Sequence, residues 1–131
     1  MGDITKSPKA SEEVSGRPAG SVLTAECEID GVSFMFLNGG SMEQFKINGG
    51  TSYIIECETQ EEIDYFWEKL SAVPEAEQCG WCTDKFGITW QVVPRILDEL
   101  MRESPEKAEA VTNAFMPMKK IDLEIIKKVG E

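Results

Sequence analysis

The chain has 131 residues, 41% of them hydrophobic, which is enough for one core and too little for two ordinary domains. Its 24 acidic and 13 basic residues give a formal net charge of −11, which repels phosphate backbones and argues against a nucleic-acid partner. No apolar run approaches the roughly 20 residues that cross a bilayer, and the N-terminus has no apolar signal segment. We therefore expect a cytoplasmic protein with no membrane partner.

The chain begins with a polar stretch over residues 1–20 that predicts a mobile arm, of which only the first few residues pair as a strand. The next stretch alternates apolar and polar residues on both sides of Asp30-Gly31, a strong signal for a type I′ turn. With these two residues as the loop, Cys27 pairs with Phe34 and the hairpin has one continuous apolar face. That face consists of Leu23, Ala25, Cys27, Ile29, Val32, Phe34 and Phe36.

A strand and a helix follow the glycine-rich connection. Thr59, with Glu62 three residues later, forms the capping-box pattern that marks a helix start. The apolar residues after it recur at helical spacing and predict one buried stripe. The stripe consists of Ile63, Phe66, Trp67 and Leu70.

Cys79 and Cys82 have the spacing of redox dithiols and of zinc clips. The residues around them, with a turn closed by Gly87 and then β-branched and aromatic side chains, predict a β-hairpin. Residues three apart on a strand face opposite ways, and a strand has no helix dipole to acidify a thiol. We therefore favour structural cysteines over a redox centre. A zinc site is also disfavoured, because the chain has no histidine and Cys27 and Cys57 lie in strand-like segments.

Three helical segments are predicted after Pro94, and they close the chain. Ser104 and Pro105 mark the start of the second segment, Pro117 its end, and Asp122 the start of the third. The whole order is strand hairpin, strand, helix, strand hairpin and helical tail. This order predicts an α+β chain with mainly antiparallel pairing.

Several segments together resemble a known family. They are "FMFLNGG", "SYIIECETQEEIDYFWEKLS", "CGWCTDKFGITWQVVP" and "PEKAEAV" with "MKKID". From about residue 20 onward the chain looks like the PhnB-like family of the vicinal-oxygen-chelate (glyoxalase/bleomycin-resistance/dioxygenase) superfamily. The resemblance implies a glyoxalase-like fold of βαβββ modules, paired so that two curved, mainly antiparallel sheets enclose a cavity.

The chain departs from the two-module pattern of that family. Residues 51–94 resemble the second module, residues 21–50 a remnant of the first, and residues 95–131 form the helical tail, so that 21–131 is one PhnB-like domain. Compared with that pattern, we expect the first strand and helix of module one to be missing. Either the sequence is truncated or a second copy of the chain supplies what is absent.

The resemblance also implies where metal ligands would stand. One position falls at Ser52, where metal-using relatives have His, another at Gln91, where Glu is usual, and a third near Phe36 or Asn38. A hydroxyl, amides and a phenyl ring do not hold a catalytic transition metal, so neither a metal nor another cofactor is expected. The three polar side chains either hydrogen-bond a small ligand or satisfy each other and the backbone.

Some members of the family carry the label of a ubiquinone-pathway methyltransferase. A methyltransferase of the usual Rossmann-like kind needs a glycine-rich turn between a strand and a helix. Asn-Gly-Gly occurs at residues 38–40 and 48–50, and neither copy sits between a predicted strand and helix. We therefore do not expect this activity.

The leading hypothesis is a metal-free small-molecule binding protein or divergent enzyme with a glyoxalase-like fold, and no catalytic residue is assigned. The candidate ligand-binding residues are Phe36, Asn38, Ser52, Tyr53, Trp81, Trp90 and Gln91. Ordinary core packing is the alternative for each aromatic residue. The second hypothesis is an oligomeric assembly module without catalysis, and we expect a homodimer because the apolar hairpin face needs a cover. A metal-dependent lyase or dioxygenase is the least favoured.

Overall fold

The structure, a computed structural model, describes residues 5–6, 18–38 and 46–131. It divides into two compact units, with the boundary between residues 46 and 47, and each unit is described by itself. This boundary is close to the predicted junction of the first-module remnant and the second module. Most of the predicted mobile arm and part of the glycine-rich connection lie outside the described residues.

Unit 1 contains a three-stranded antiparallel sheet. Its strands are β1 (Thr5–Lys6), β2 (Thr24–Ile29) and β3 (Val32–Leu37), in the order β1-β2-β3. Asp30 and Gly31 have φ values of 50° and 76°, as a type I′ turn requires. The register pairs Ile29 with Val32, Cys27 with Phe34 and Ala25 with Phe36. The predicted hairpin and its pairing are confirmed, and the short β1 shows that the start of the predicted arm does pair as a strand.

Unit 2 begins with a mixed sheet and the helix that covers it. Its elements are β4 (Ser52–Cys57), α1 (Gln60–Leu70), a 3-10 turn (Pro74–Ala76), β5 (Trp81–Thr83) and β6 (Thr89–Pro94). In the sheet order β4-β6-β5, β5 and β6 form the predicted hairpin, and β4 runs parallel to β6. Pairing in the described chain is therefore mainly antiparallel. A helix follows β6 directly, so this module has one strand fewer than βαβββ.

The start of α1 explains how the helix is fixed against the sheet. The Thr59 side chain accepts a hydrogen bond from the Glu62 backbone N–H at 3.2 Å, and the Glu62 carboxylate accepts one from the Glu58 N–H at 2.7 Å. The predicted stripe then packs on one sheet face. The core there consists of Cys57, Ile63, Cys82, Val92 and Leu123, with Phe66, Trp67 and Leu70 partly buried against it.

The helical tail forms a second core. Its helices are α2 (Ile96–Glu103), α3 (Pro105–Phe115) and α4 (Leu123–Gly130), and Ser104 and Asp122 cap α3 and α4 as predicted. The buried residues of this core are Leu97, Leu100, Val111, Ile121 and Ile126. The helix α4 turns Ile126 inward, where it is fully buried, and leaves Ile125 exposed. None of the helices in the described part of the chain is long and apolar enough to cross a membrane.

Candidate functional site

The sheet of unit 2 has one face that α1 does not cover. Side chains alternate along each strand, and the register places Ile54, Gln91 and Trp81 side by side across β4, β6 and β5. Their neighbours in sequence, Cys82 and Val92 among them, point into the core under α1. Ile54, Gln91 and Trp81 therefore form a row on the opposite face of the sheet.

A cleft of about 280 Å³ lies over this row, between the sheet and the helices α2 and α3. Its apolar lining includes Ile54, Trp81, Val93, Leu97, Met101 and Phe115. Its polar lining consists of Glu56, Cys79, Gln91, Arg95 and Asp98. An apolar pocket with a few polar groups at its edge is the usual form of a small-molecule site.

Two of the predicted polar residues meet at the sheet. The Gln91 side-chain amide donates a hydrogen bond to the Ser52 hydroxyl at 2.8 Å, which joins β6 to β4. Gln91 lines the cleft, and Ser52 lies next to it without lining the cleft. The bond fixes the direction of the Gln91 amide, and it leaves the amide oxygen as an acceptor.

Arg95 follows β6 directly and lines the cleft. Its side chain lies 3.0 Å from a Glu58 carboxylate oxygen and 3.7 Å from one of Glu56, and its backbone N–H donates to the Cys57 carbonyl at 3.0 Å. All three charged side chains are about half exposed, so the pairing orients the guanidinium more than it stabilises the fold.

Cys79 and Gly80 form a second two-residue turn with positive φ, 41° and 86°, and Gln78 and Trp81 pair across it. The helical tail holds this turn, because the Cys79 N–H donates to the Met118 carbonyl at 2.6 Å and the Gly80 N–H to that of Lys119 at 2.7 Å. The turn therefore connects the cleft wall to the segment between α3 and α4.

This turn corrects our placement of the cysteines on one strand. Cys79 lies in the turn and lines the cleft, whereas Cys82 is fully buried in the core on the other side of the sheet. Burial raises the pKa of the Cys79 thiol, and it raises the pKa of Cys82 to about 11, with a smaller effect from the carboxylates of Glu77 and Asp84. Raised pKa values oppose thiolate formation, which supports the structural interpretation of these cysteines.

Tyr53 and Trp90 do not lie with Trp81 and Gln91. Their rings pair at a centroid distance of 5.4 Å on the α1 side of the sheet, where Trp90 packs against the core. The Trp90 indole N–H also donates to the buried carboxylate of Asp84 at 2.9 Å. The sheet thus separates the two pairs, and the expectation that all four residues line one cavity is corrected because β4 and β6 turn Tyr53 and Trp90 to the opposite face.

Phe36 and Asn38, the remaining candidates, belong to unit 1. Phe36 is on β3, and Asn38 follows it with its side-chain amide donating to the Val22 carbonyl at 2.9 Å. This hydrogen bond is expected if the Asn38 amide satisfies a backbone group, which was the alternative to binding a ligand. As ligand-binding residues, the two remain predictions.

The metal that the superfamily implies does not fit these side chains. Ser52 and Gln91 offer a hydroxyl and an amide that already bond to each other, and Asn38 donates to the backbone. Divalent transition metals prefer imidazole, carboxylate or thiolate ligands. Over residues 18–38 and 46–131, no three Cys, Asp or Glu side chains gather closely enough to hold a metal ion.

Most of the residues that line the cleft were not predicted from the sequence, which brought forward only Trp81 and Gln91 of them as ligand-binding residues. Glu56, Arg95, Asp98, Met101 and Phe115 line it, but they are ordinary members of a strand end and two helices. The one available signal was Arg95 itself, a charged residue directly after a strand and a proline, where the chain leaves the sheet. The contribution of α2 and α3 depends on how these helices pack on the sheet, which local patterns do not give.

Comparison with known proteins identifies the family. A family model described as 3-demethylubiquinone-9 3-methyltransferase matches residues 2–93, a range that begins earlier than the resemblance near residue 20. No curated protein matches the chain. A solved structure titled putative 3-demethylubiquinone-9 3-methyltransferase, PhnB protein, from Bacillus cereus is 27% identical with a TM-score of 0.56, and the match covers 72% of this chain and 80% of that one. The chain therefore belongs to the PhnB-like family of the glyoxalase superfamily and has its α+β fold.

Proposed function

We propose that the cleft of unit 2 binds a small organic molecule. The observation that carries the proposal is the combination of an apolar wall, which includes Trp81, with the fixed amide of Gln91 on one sheet face. Burial of an apolar ligand against such a wall supplies affinity, and the Gln91 amide supplies orientation.

The test is a titration followed by NMR, with monocyclic aromatic compounds as probes and the Trp81 indole N–H as reporter. We expect shifts at Trp81 and Gln91 and at least tenfold weaker binding in Trp81→Ala. Tyr53→Ala is the matched control, because Tyr53 is an exposed aromatic residue of the same sheet on the other face. Binding that survives Trp81→Ala, or that fails equally in Tyr53→Ala, would refute the assignment to this cleft.

The methyltransferase named in the family description finds little support in the residues. The connection from β4 to α1 is Glu58-Thr59, which contains no glycine and carries a carboxylate. In a Rossmann-like methyltransferase, the backbone of this connection must approach the adenosyl cofactor closely. Asn48-Gly49-Gly50 precedes a strand. We therefore infer a binding protein or an enzyme of another class, and methyl transfer assayed on a demethylated quinone is expected to be absent.

We further propose that the chain is a homodimer. The observation behind it is the apolar face of the unit 1 hairpin, on which Ile29, Val32 and Phe36 are 46%, 57% and 49% exposed. Two copies of one apolar face are self-complementary about a two-fold axis, and burying them removes a strand surface that otherwise promotes aggregation. The same observation favours the alternative of an assembly module without catalysis.

Light scattering at micromolar concentration tests the dimer. A mass near twice 14.6 kDa supports it, and a mass near 14.6 kDa refutes it. Phe34→Asp should give monomer or aggregate, since it places a charge within the face, whereas Glu28→Asp on the opposite face of β2 should leave the mass unchanged.

A further inference from the structure

We propose that the cleft selects organic cations, in which an ammonium group is joined to an apolar body, over carboxylates and phosphates. The proposal rests on the proposed function of the cleft as a small-molecule site. It follows from the charge balance at the edge of the cleft and from the side chains of its wall.

Arg95 is the one positive charge among the cleft-lining residues, and it is shared. Glu58 at 3.0 Å and Glu56 at 3.7 Å both engage its guanidinium, so the three side chains together keep one surplus negative charge. The other acidic lining residue, Asp98, is balanced by Arg102 at 3.0 Å. An anionic ligand would have to displace a carboxylate from Arg95, whereas an ammonium group would compensate the surplus charge.

The wall of the cleft favours the same ligand class. Trp81 and Phe115 offer aromatic rings, whose faces attract cations, and Met101 adds a polarizable thioether. The protein as a whole carries a formal net charge of −11, which raises the local concentration of cations and lowers that of anions. An amphipathic cation is therefore favoured by three features of the cleft: its apolar wall, its aromatic rings and the surplus carboxylate charge beside Arg95.

Three probes of similar shape test the charge preference: 2-phenylethylamine, protonated at neutral pH, 2-phenylethanol and 3-phenylpropionate. With shifts at Trp81 as the readout, we expect the amine to bind about three to ten times more tightly than the alcohol, and the carboxylate least tightly. The advantage of the amine should shrink as sodium chloride is raised to about 1 M, where the screening length is about 3 Å.

Two variants should move the affinity of the amine in opposite directions. Glu56→Gln removes a negative charge and is expected to weaken amine binding about threefold, and Arg95→Gln exposes both carboxylates and should tighten it about threefold. Arg95→Lys keeps the charge and should change little. Glu61→Gln on α1 is the matched control, since it changes the net charge equally and does not line the cleft.

The outcomes separate this inference from the proposed function. If the alcohol or the carboxylate binds as tightly as the amine, or if Glu56→Gln and Arg95→Gln act alike, the cation preference is refuted and the cleft remains a binding site. If none of the three probes moves Trp81, the binding function itself fails. Thermal unfolding of each variant confirms that it is folded under the titration conditions.

Discussion

Each of the two units contains a two-residue turn of the same kind, and the surroundings of the two turns differ. Asp30-Gly31 in unit 1 and Cys79-Gly80 in unit 2 are both two-residue turns with positive φ at each position. A Cβ atom placed on Gly31 would meet nothing within 4 Å, whereas one on Gly80 would lie 3.0 Å from the Val92 carbonyl oxygen. The first turn is therefore set by its own residues, and the second is also held by the packing around it.

The apolar faces of the two sheets differ in the same way. In unit 2, Cys57, Cys82 and Val92 lie at 1% exposure or less beneath α1. In the described part of unit 1 no helix is present, and Ile29, Val32 and Phe36 of the apolar hairpin face are 46%, 57% and 49% exposed. Unit 2 thus has its own core, and the contribution of the unit 1 face to stability depends on what covers that face.

The largest expected difference comes from shortening an isoleucine in each unit. Ile63→Ala removes a fully buried side chain of α1 and should lower the free energy of unfolding by about 3 to 4 kcal/mol. Ile29→Ala in the hairpin should cost less than about 1 kcal/mol when the protein is dilute, because Ile29 is half exposed.

Chemical denaturation at two protein concentrations is the measurement. The loss in Ile63→Ala should not depend on concentration, while that in Ile29→Ala should grow with concentration if the face is a dimer interface. A concentration-independent loss above about 2 kcal/mol for Ile29→Ala would contradict the contrast between the units, since it would mean that the face is covered within one chain.

The second comparison uses the two turn glycines. Gly31→Ala adds a methyl group in open space and should cost about 1 kcal/mol, the penalty for a left-handed backbone with a side chain. Gly80→Ala bears the same penalty and also presses on Val92 and Ile121, so about 3 kcal/mol is expected. Urea unfolding measures the loss of unfolding free energy in both variants. Equal losses would show that the side chains around Gly80 rearrange to accommodate the methyl group.

Local patterns predicted the elements well because each one carries its own signal. The Asp-Gly turn determined the pairing of β2 and β3, the Thr59 capping box the start of α1, and the caps at Ser104 and Asp122 the starts of α3 and α4. These signals operate over a few residues, and so they survive in the folded chain.

The site was harder to predict because it depends on faces and on distant packing. Alternation says that neighbours on a strand point opposite ways, but not which face meets the helix, and this is why Trp90 was grouped with Trp81. The bond of Gln91 to Ser52 joins residues far apart in sequence. Resemblance to the family brought Ser52 and Gln91 forward, and no local rule pointed to Met101 or Phe115.

The third prediction concerns pH and the buried thiols of unit 2. Burial raises the pKa of Cys82 from 9.0 to about 11, so as pH rises the unfolded chain loses this proton first. The stability contributed by the neutral thiol is thus fully present below pH 9 and lost as pH rises to about 11. At pH 10 the loss should be about 1 kcal/mol.

The comparison of two variants isolates this effect from other titrations. Cys82→Ala should show a shallower fall in the free energy of unfolding between pH 8 and pH 10 than the natural protein, and Val92→Ala, which lies in the same core without an ionisable group, should show the same fall. Identical slopes for Cys82→Ala and the natural protein would rule out the buried neutral thiol as a source of pH dependence.

The smallest expected effect returns to the two turns, at their first positions. Cys79 has φ 41° and Asp30 has φ 50°, and aspartate tolerates this left-handed region better than cysteine. Cys79→Gly should therefore raise the free energy of unfolding by about 0.5 kcal/mol. This gain is the backbone strain relieved in the folded state minus the extra conformational entropy that glycine gives to the unfolded chain. Cys79→Asn should gain at least as much, since asparagine tolerates the same conformation without that freedom, and Asp30→Gly should gain nothing.

Denaturant midpoints resolve differences of this size when the slopes agree. If Cys79→Gly instead lost 1 kcal/mol or more, the packing of the thiol at the cleft wall would outweigh the backbone strain, and the turn of unit 2 would depend on its side chain as well as on its glycine.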